Sequence, residues 1–402
     1  MLLCLLLSIL AISVAASPSI AAPKICRVTD FVMRRRAPPN TPPFLHSPKH
    51  SASCNSLILD RHERPTEKEM LAIFKVLPNT QIESLHMMGV TLSVDVIVHL
   101  AAFVANSKIR LLHLVDLDNL GEAGLMILAE AIRKTITLET VILANMYHSI
   151  GQDAGNMLKT TLREHPKLNH LDLRGFLGGP YLIDAIVGGL RNGNIKSLCL
   201  RQIGLNATGL RALASTMPIS SVEHLDLSGN RLGDAGARIV AHRILNRNSS
   251  LRELDLSNND MTDLAAADLA VSLESDRELR HLILSDNIGI TDEGIAEFNE
   301  VLIDPGFYGN QILVSLELTP PHGSKREVFI KHLQHLNSFL SRNQKLQKEN
   351  EIHVLKRKHW PHEGSISGSK SLIGVEGTAE FTNWREDWRE DHNKKRPRKL
   401  DL

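Results

Sequence analysis

The chain has 402 residues, of which 43% are hydrophobic and 23% charged, so it holds enough apolar material to bury a folded core. Aromatic residues make up only 4%, so aliphatic side chains must fill that core. The net charge of +1 is unevenly spread, because residues 54–323 carry 23 basic and 33 acidic residues while both ends are basic. An acidic body favours a cationic partner, or basic ends that fold back onto it.

Cysteine is scarce, which argues against a disulfide-rich scaffold. The four cysteines, Cys4, Cys26, Cys54 and Cys199, form no C-x-x-C pair and no His/Cys spacing of a zinc site. We therefore expect no metal site and no cofactor, with Cys199 as an isolated thiol.

The N-terminal segment 1–16 has the pattern of a secretory signal. It is apolar for about fifteen residues, shorter than the roughly 20 needed to span a bilayer, and Val14 and Ala16 are the small residues expected before a cut after Ala16. No Lys or Arg precedes the apolar run, so a mis-assigned start or a short membrane anchor stays an alternative. The expected location is the secretory pathway or the cell exterior, with no membrane span once the leader is removed.

Residues 17–53 are rich in Ser, Pro and Arg and contain Asp30 as their one acid. This composition is typical either of a disordered linker or of an organelle transit segment. Together with the signal, the second interpretation describes a bipartite leader. If the leader is not functional, a nuclear or cytosolic location follows.

An apolar-x-x-apolar-x-apolar pattern recurs through residues 54–323 at intervals of 27 to 34 residues. Ten copies near one period indicate a solenoid of ten units. The first residues of these units are Cys54, Ile82, Ile109, Leu138, Leu168, Ile195, Val222, Leu251, Leu279 and Leu313.

Each unit is predicted to be a strand, a turn and a helix. The alternation of Leu225 and Leu227 places two side chains on one face of a short strand. Acids such as Asp234 and Asp292 stand where a helical run begins, which suits the positive end of a helix dipole. Because helices are wider than strands, stacked units should bend into an arc with the strands inside.

The segment "VEHLDLSGNRLGDAG", 222–236, closely resembles the leucine-rich repeat of the ribonuclease-inhibitor type, L-x-x-L-x-L-x-x-N-x-L-G-D-x-G. The resemblance covers about 54–323 and implies an α/β leucine-rich-repeat solenoid, a horseshoe of about ten coils. It also implies that Asn230, Asn259 and Asn287 bond loop backbone between coils. Phe176 and Ile203 replace that Asn in two units, and the Gly-rich unit at 168–194 suggests a local bend.

The two segments after the repeats have different predicted roles. Residues 324–358 place Phe329, Leu333, Leu336 and Leu340 on one stripe, which predicts a helix that caps the last coil. Residues 359–402 are predicted to be a disordered tail.

Two features of the tail suggest recognition. Trp384 and Trp388 are four residues apart and form a candidate binding motif or a clasp on the array, with an unstructured tail as the alternative. The run "KKRPRK", 394–399, fits a nuclear import tag or a solvated tail.

The second, fourth and sixth residues after each unit start should line the inner strand face. The early units give apolar residues such as Met88 and Ile142, and in the later units Asp172, Cys199, Asp226 and Asp255 should form one row, about 4.8 Å apart. The candidate partner-binding residues of the later units are His170, Asp172, Arg174, Cys199, Arg201, His224, Asp226, Ser228, Glu253, Asp255 and His281.

The predicted function is a non-enzymatic interaction module or scaffold that binds another protein on the concave strand face, and a basic partner surface fits the acidic body. No nucleic acid is expected as a partner. A metal site at His224, Asp226 and Asp255 is the weaker interpretation, because "LDLS" is common in this repeat family. No nucleophile–base pair or phosphate-binding loop motif occurs.

Members of the resembled family suggest one alternative from another class, activation of a small GTPase, although the basic tail departs from the acidic tail of such members. Two further sites are candidates for glycosylation, the sequons at Asn206 and Asn248.

Overall fold

The computed structural model divides the chain into two compact units, residues 1–349 and 350–402. In the second unit only the end of one helix, up to residue 359, is described. The described residues are 25–27, 32–33, 44–45, 54–62, 64–117, 119–146, 149–191, 194–247, 250–303, 312–320 and 326–359.

Among the described residues of the first unit, eleven parallel strands form one open sheet, and ten of them begin two residues after the predicted unit starts. A separate antiparallel pair joins β2 (Val32–Met33) and β3 (Phe44–Leu45). The sheet strands are β1 (Ile25–Cys26), β4 (Ser56–Asp60), β5 (Ser84–Met88), β6 (Leu111–Val115), β7 (Thr140–Ala144), β8 (His170–Asp172), β9 (Ser197–Cys199), β10 (His224–Asp226), β11 (Glu253–Asp255), β12 (His281–Ile283) and β13 (Ser315–Glu317).

A helix follows each of the ten repeat strands, as the strand–turn–helix prediction requires. The predicted solenoid is thereby confirmed. The helices are α1 (Glu67–Val76), α2 (Val94–Asn106), α3 (Gly121–Lys134), α4 (Gln152–Glu164), α5 (Gly179–Leu190), α6 (Ala207–Thr216), α7 (Gly233–Ile239), α8 (Asp263–Ser275), α9 (Asp292–Ile303) and α10 (Arg326–His359); a π-helical turn, Val240–Leu245, continues α7.

The helices begin where short polar side chains can bond their free backbone N–H groups. Thr66 accepts from the backbone of Glu69, whose carboxylate accepts from Thr66 in return, which is a capping box. Ser93, Asn206 and Thr262 cap α2, α6 and α8 with one bond each, from a backbone N–H of the first turn to the side-chain oxygen. In these coils the residue type at the turn therefore sets the point at which strand changes to helix, whereas α3, α4, α5 and α7 begin without a side-chain cap bond.

The core runs along the solenoid as one apolar cluster between the strands and the helices. In the seventh coil Val222, Leu225 and Leu227 are at most 1% exposed, so the consensus positions of the repeat are the buried ones. Burial of this kind contributes about 1.5–3 kcal/mol per aliphatic side chain.

Buried asparagines bond successive coils to one another. Asn259 donates its amide to the carbonyls of Leu227 and Leu256, and its Oδ1 accepts from the backbone of Asn230 and Leu232. Asn230 serves the preceding coil in the same way and bonds the backbone of Ile203. The coil with Ile203 in place of Asn is therefore supported by its neighbour.

The Gly-rich fifth coil contains a regular helix, α5. A Cβ atom at Gly188 would clash with the side chain of Lys159, and one at Gly189 would lie 2.5 Å from Leu162. Both partners belong to α4, so these glycines allow the two helices to approach closely.

The sheet begins earlier than the repeat pattern predicts. Residues 25–26 form β1 beside β4, and a disulfide joins Cys26 to Cys54 with a Cα–Cα distance of 5.9 Å. Both cysteines are buried. The scarcity of cysteine argues against a disulfide-rich scaffold but is compatible with this bridge, so part of the segment expected to be a linker or transit peptide belongs to the core.

The helix α10 covers the last coil through both apolar and polar contacts. Phe329 and Leu336 are fully buried, and Leu340 nearly so. Asn343 Nδ2 and Gln347 Nε2 donate to the carbonyls of Leu313 and Ile312, at 2.8 and 2.6 Å. The stripe predicted for a capping helix is the stripe that packs, and the polar side chains satisfy backbone groups that a further coil would otherwise bond.

Candidate functional site

The sheet face opposite the helices carries three parallel rows of side chains, which we call the open face. In β10 these are His224 in the first row, Asp226 in the second and Ser228 in the third, while Leu225 points into the core. In-register pairing of neighbouring strands keeps each row continuous from coil to coil.

The second row brings together the four residues predicted to be neighbours. Asp172 pairs with Cys199, Cys199 with Asp226 and Asp226 with Asp255 across adjacent strands. All four side chains are at most 4% exposed. The three carboxylates and the thiol are therefore almost inaccessible from the open face.

Local hydrogen bonds hold these buried carboxylates. Asp226 Oδ1 accepts from the backbone and hydroxyl of Ser228 at 2.8 and 2.6 Å, and its Oδ2 accepts from Cys199 Sγ at 3.3 Å. Asp255 accepts from the backbone and hydroxyl of Ser257 in the same way. Burial, together with the charge of Asp226, raises the pKa of Asp255.

Asp172 differs from the other two carboxylates because it has a cationic partner. It accepts from the backbone of Arg174 at 3.0 Å and forms an ion pair with the Arg174 guanidinium. Arg201 is the next residue of the third row, and it is half-buried. The fifth and sixth coils therefore carry both signs of charge.

The first row is more accessible than the second. His224 Nδ1 lies 2.9 Å from Glu253 Oε2, and these side chains are 28% and 22% exposed. Burial alone would raise the pKa of Glu253, but the hydrogen bond and charge of His224 lower it overall. His281 follows Glu253 in the same row, so the seventh to ninth coils present an imidazole–carboxylate–imidazole series.

His170 stands in the same row on β8 and is buried. Its Nε2 atom has no hydrogen-bond partner among the described residues, and burial lowers its pKa. A neutral imidazole with a vacant nitrogen can accept or donate one bond.

Two histidines lie on the early part of the open face, where the apolar pattern predicts an aliphatic wall. His86 on β5 and His113 on β6 are paired in register, and their Nδ1 atoms are 3.1 Å apart. Burial lowers the pKa of both to about 4, and for His113 the charges of His86 and Arg174 add to this. The rule that the second, fourth and sixth residues after each unit start line the open face would have found both, since each is the fourth residue after its unit start.

The remaining predicted sites lie partly outside the described residues. Asn206 is exposed, and its Oδ1 accepts from the backbone of Gly209 at 2.9 Å. Asn248, Trp384 and Trp388 are outside the described part, as is the predicted leader up to Ala16.

The described residues contain no group of three or more His, Cys, Asp or Glu side chains placed to hold a metal ion. Among the helices described, none is both long and apolar enough to cross a membrane.

Comparison with known proteins relates the chain to repeat proteins. The leucine-rich repeat family model matches residues 219–239, 247–270 and 277–298. The chain is 34% identical over 145 residues to NACHT, LRR and PYD domains-containing protein 3 of Bos taurus, an alignment that covers 34% of this chain and 14% of that protein. It is 29% identical over 192 residues to the ribonuclease inhibitor of Sus scrofa, covering 47% of this chain and 41% of the inhibitor.

Among solved structures, leiomodin-1 actin-binding site 2 superposes with a TM-score of 0.40 and 16% identity, covering 45% of this chain and 99% of that one. The chain spans less than half the length of either curated relative. Proteins of the matched repeat family are protein-interaction modules and are typically without catalytic activity. The chain thus carries leucine-rich repeats and is similar to repeat proteins of the ribonuclease-inhibitor-like type.

Proposed function

We propose that the protein binds a protein partner with basic side chains on the open face of β10 to β13. The observation that carries this proposal is that the three rows of these four strands hold four acids and no Lys or Arg. The acids are Asp226, Glu253, Asp255 and Glu317.

The accessible acids are the groups that would meet the partner. Glu317 is exposed and Glu253 is partly exposed, while Asp226 and Asp255 add negative potential from beneath. Arg252 and Arg280 precede the first row at the edge of this patch, and Arg252 lies 3.8 Å from Glu223. Acids at the centre with bases at the edge would steer a cationic group to the centre.

Site-specific crosslinking tests the location of binding. A photoreactive amino acid at His281 should crosslink a protein in the cells of origin, whereas the same group at Glu300, an exposed residue of α9, should not. Crosslinks at Glu300 alone would contradict the proposal.

The captured partner also decides whether the GTPase-activating alternative applies. If it is a small GTPase, faster GTP turnover on addition of the purified protein would favour that alternative. Saturable binding without faster turnover would favour the scaffold.

We also propose that the protein matures in the secretory lumen. The buried Cys26–Cys54 disulfide supports this, because such bonds persist in oxidising compartments. A transit-type cut near residue 54 would remove β1 and Cys26 from the core, whereas a cut after Ala16 would retain both.

Intact mass with and without glycosidase tests the location. We expect a chain that begins between residues 17 and 25, one disulfide, and sugar on Asn206 or Asn248. A mature chain that lacks Cys26 and carries no sugar would contradict a luminal location.

A further inference from the structure

The histidine pair of the second and third coils lies within an apolar part of the open face. His86 is 9% exposed and His113 is half-buried. The second-row neighbours Ile58 and Ile142, and Met88, Leu111 and Val115 of the same two strands, are aliphatic or thioether side chains. Polar residues lie at the margin, namely Ser56, Ser84 and Thr140 in the first row and Asp60 in the third. The pair is therefore a polar centre whose nearest lateral neighbours are apolar.

The hydrogen bond within the pair fixes what its outer atoms can do. A contact of 3.1 Å between two Nδ1 atoms requires one ring to donate and the other to accept. If both rings are neutral, the donor ring has a bare Nε2 that accepts, and the acceptor ring has an Nε2–H that donates. The two rings must therefore be opposite tautomers.

The Nε2 atoms are the part of the pair that a partner can reach. Nδ1 is the ring nitrogen nearer the backbone, so lateral pairing of the Nδ1 atoms across β5 and β6 leaves the Nε2 atoms farther from the sheet. Neither Nε2 atom has a hydrogen bond to another described residue. The surface thus offers one donor and one acceptor side by side.

We propose that His86 and His113 form a subsite for an uncharged carboxamide side chain, Asn or Gln, of the protein partner, with the aliphatic surround taking the apolar residues beside it. This rests on the proposed function, because the occupant is part of the same partner.

Hydrogen-bond complementarity selects the carboxamide over charged groups. A carboxamide has a carbonyl that accepts and an NH2 that donates, which matches the two Nε2 atoms. A carboxylate only accepts, so it would leave the bare Nε2 of the donor ring facing another acceptor. An ammonium group only donates, so it would leave the Nε2–H of the other ring facing another donor. Burying such a charge in an apolar surround is also unfavourable.

The subsite is distinct from the acidic patch. The strands β5 and β10 are five positions apart in the sheet, or roughly 24 Å at the usual strand spacing. One partner chain could contact both places, but the two sites can be tested separately.

Three fragments of similar shape test the subsite without the partner: isobutyramide, isobutyrate and isobutylammonium. The readout is the ¹⁵N chemical shift of the histidine ring nitrogens in full-length, histidine-labelled protein, assigned with single His→Gln variants. Before any addition at pH 7, His86 and His113 should be opposite tautomers. Isobutyramide should then shift both Nε2 signals saturably, with an apparent affinity about tenfold or more above that of the charged fragments.

Matched variants separate the possible explanations. The preference for isobutyramide should vanish in H86L/H113L and persist in H99Q, which alters a half-buried histidine of α2, away from the strands. It should also persist in E253R/E317R, so that failure of the acidic patch and failure of this subsite are distinguishable. Three results in the wild-type protein would each overturn the proposal: identical tautomers of the two histidines, no saturable shift with isobutyramide, or equal or tighter binding of isobutyrate or isobutylammonium. These measurements do not depend on whether H86L/H113L folds.

Discussion

Asn259 shows how one residue can hold two coils of a solenoid together. Its side chain is fully buried and bonds backbone groups on both sides, including Leu227 in the preceding coil. Removal of that side chain would leave several backbone N–H and C=O groups without partners in a site that water does not reach.

We therefore expect Asn259→Ala to lower the free energy of unfolding by about 2–4 kcal/mol in urea denaturation. The matched control is Asn106→Ala, because that exposed side chain makes one bond, to the Ala102 carbonyl of its own helix, and its loss should cost less than about 0.5 kcal/mol. Equal effects of the two substitutions would show that the bonds between coils add little.

The histidine pair should make stability depend on pH in a defined window. The pKa of His86 and of His113 is lowered to about 4, chiefly by burial, while an unfolded histidine titrates near 6.5. Between these values the unfolded chain binds protons that the folded chain does not, so stability falls as pH falls from about 6.5 to about 4 and is independent of these groups above 6.5. The slope is about 1.4 kcal/mol per pH unit for each histidine.

The double variant H86Q/H113Q should therefore lose less stability than the wild type between pH 6.5 and 4.5, by up to about 5 kcal/mol. Denaturation at several pH values measures this, and the other buried histidines, such as His165, cancel because both proteins contain them. An unchanged pH profile would mean that the two rings are not held neutral.

The residues of the open face were predictable in part. Because side chains alternate along a strand, the pattern placed Asp172, Cys199, Asp226 and Asp255 in one row, which the register confirms. Their burial could not be predicted, since it depends on serine and arginine side chains two residues further on. Their role in partner binding stays a prediction.

At the scale of single elements, β1 is the feature that the repeat pattern did not predict. It has two residues and no copy of the repeat, and it is held by pairing with Ser56 and Leu57 and by the disulfide. A segment this short has no periodicity of its own, so only three-dimensional proximity reveals its place.

Reduction of the Cys26–Cys54 disulfide should lower the free energy of unfolding by about 3–4 kcal/mol, because it releases a loop of 28 residues in the unfolded chain. Hydrogen exchange should also quicken at the start of β4, where β1 pairs. The variant C26S/C54S should show the same lower stability and no further response to reductant. A full response to reductant in that variant would assign the effect to another group.

The capping helix was predictable because every solenoid with an open end needs a segment that covers the apolar side of its last coil. An open array must cover its last coil, and a stripe of Phe and Leu in a helical pattern after the final repeat supplies the cover. The bonds of Asn343 and Gln347 to the last coil were not predictable, since polar residues on such a helix ordinarily face water.

At the scale of the whole molecule, repetition made the fold predictable and left the partner undetermined. The spacing near 28 residues fixed the strand order and the helix that follows each strand, since each coil must bury its apolar face against the next. The open-face residues vary from coil to coil without disturbing that core, so the repeat pattern does not determine them and does not identify the partner.

The most direct test of the central claim is the dissociation constant of the crosslinked partner, purified, for three forms of the protein. E253R/E317R reverses two charges on the open face, and E274R/E300R reverses two charges on exposed residues of α8 and α9. We expect at least about tenfold weaker binding for E253R/E317R, wild-type binding for E274R/E300R, and a loss of affinity with rising salt for the wild type. Equal affinity of all three forms would contradict binding on the open face.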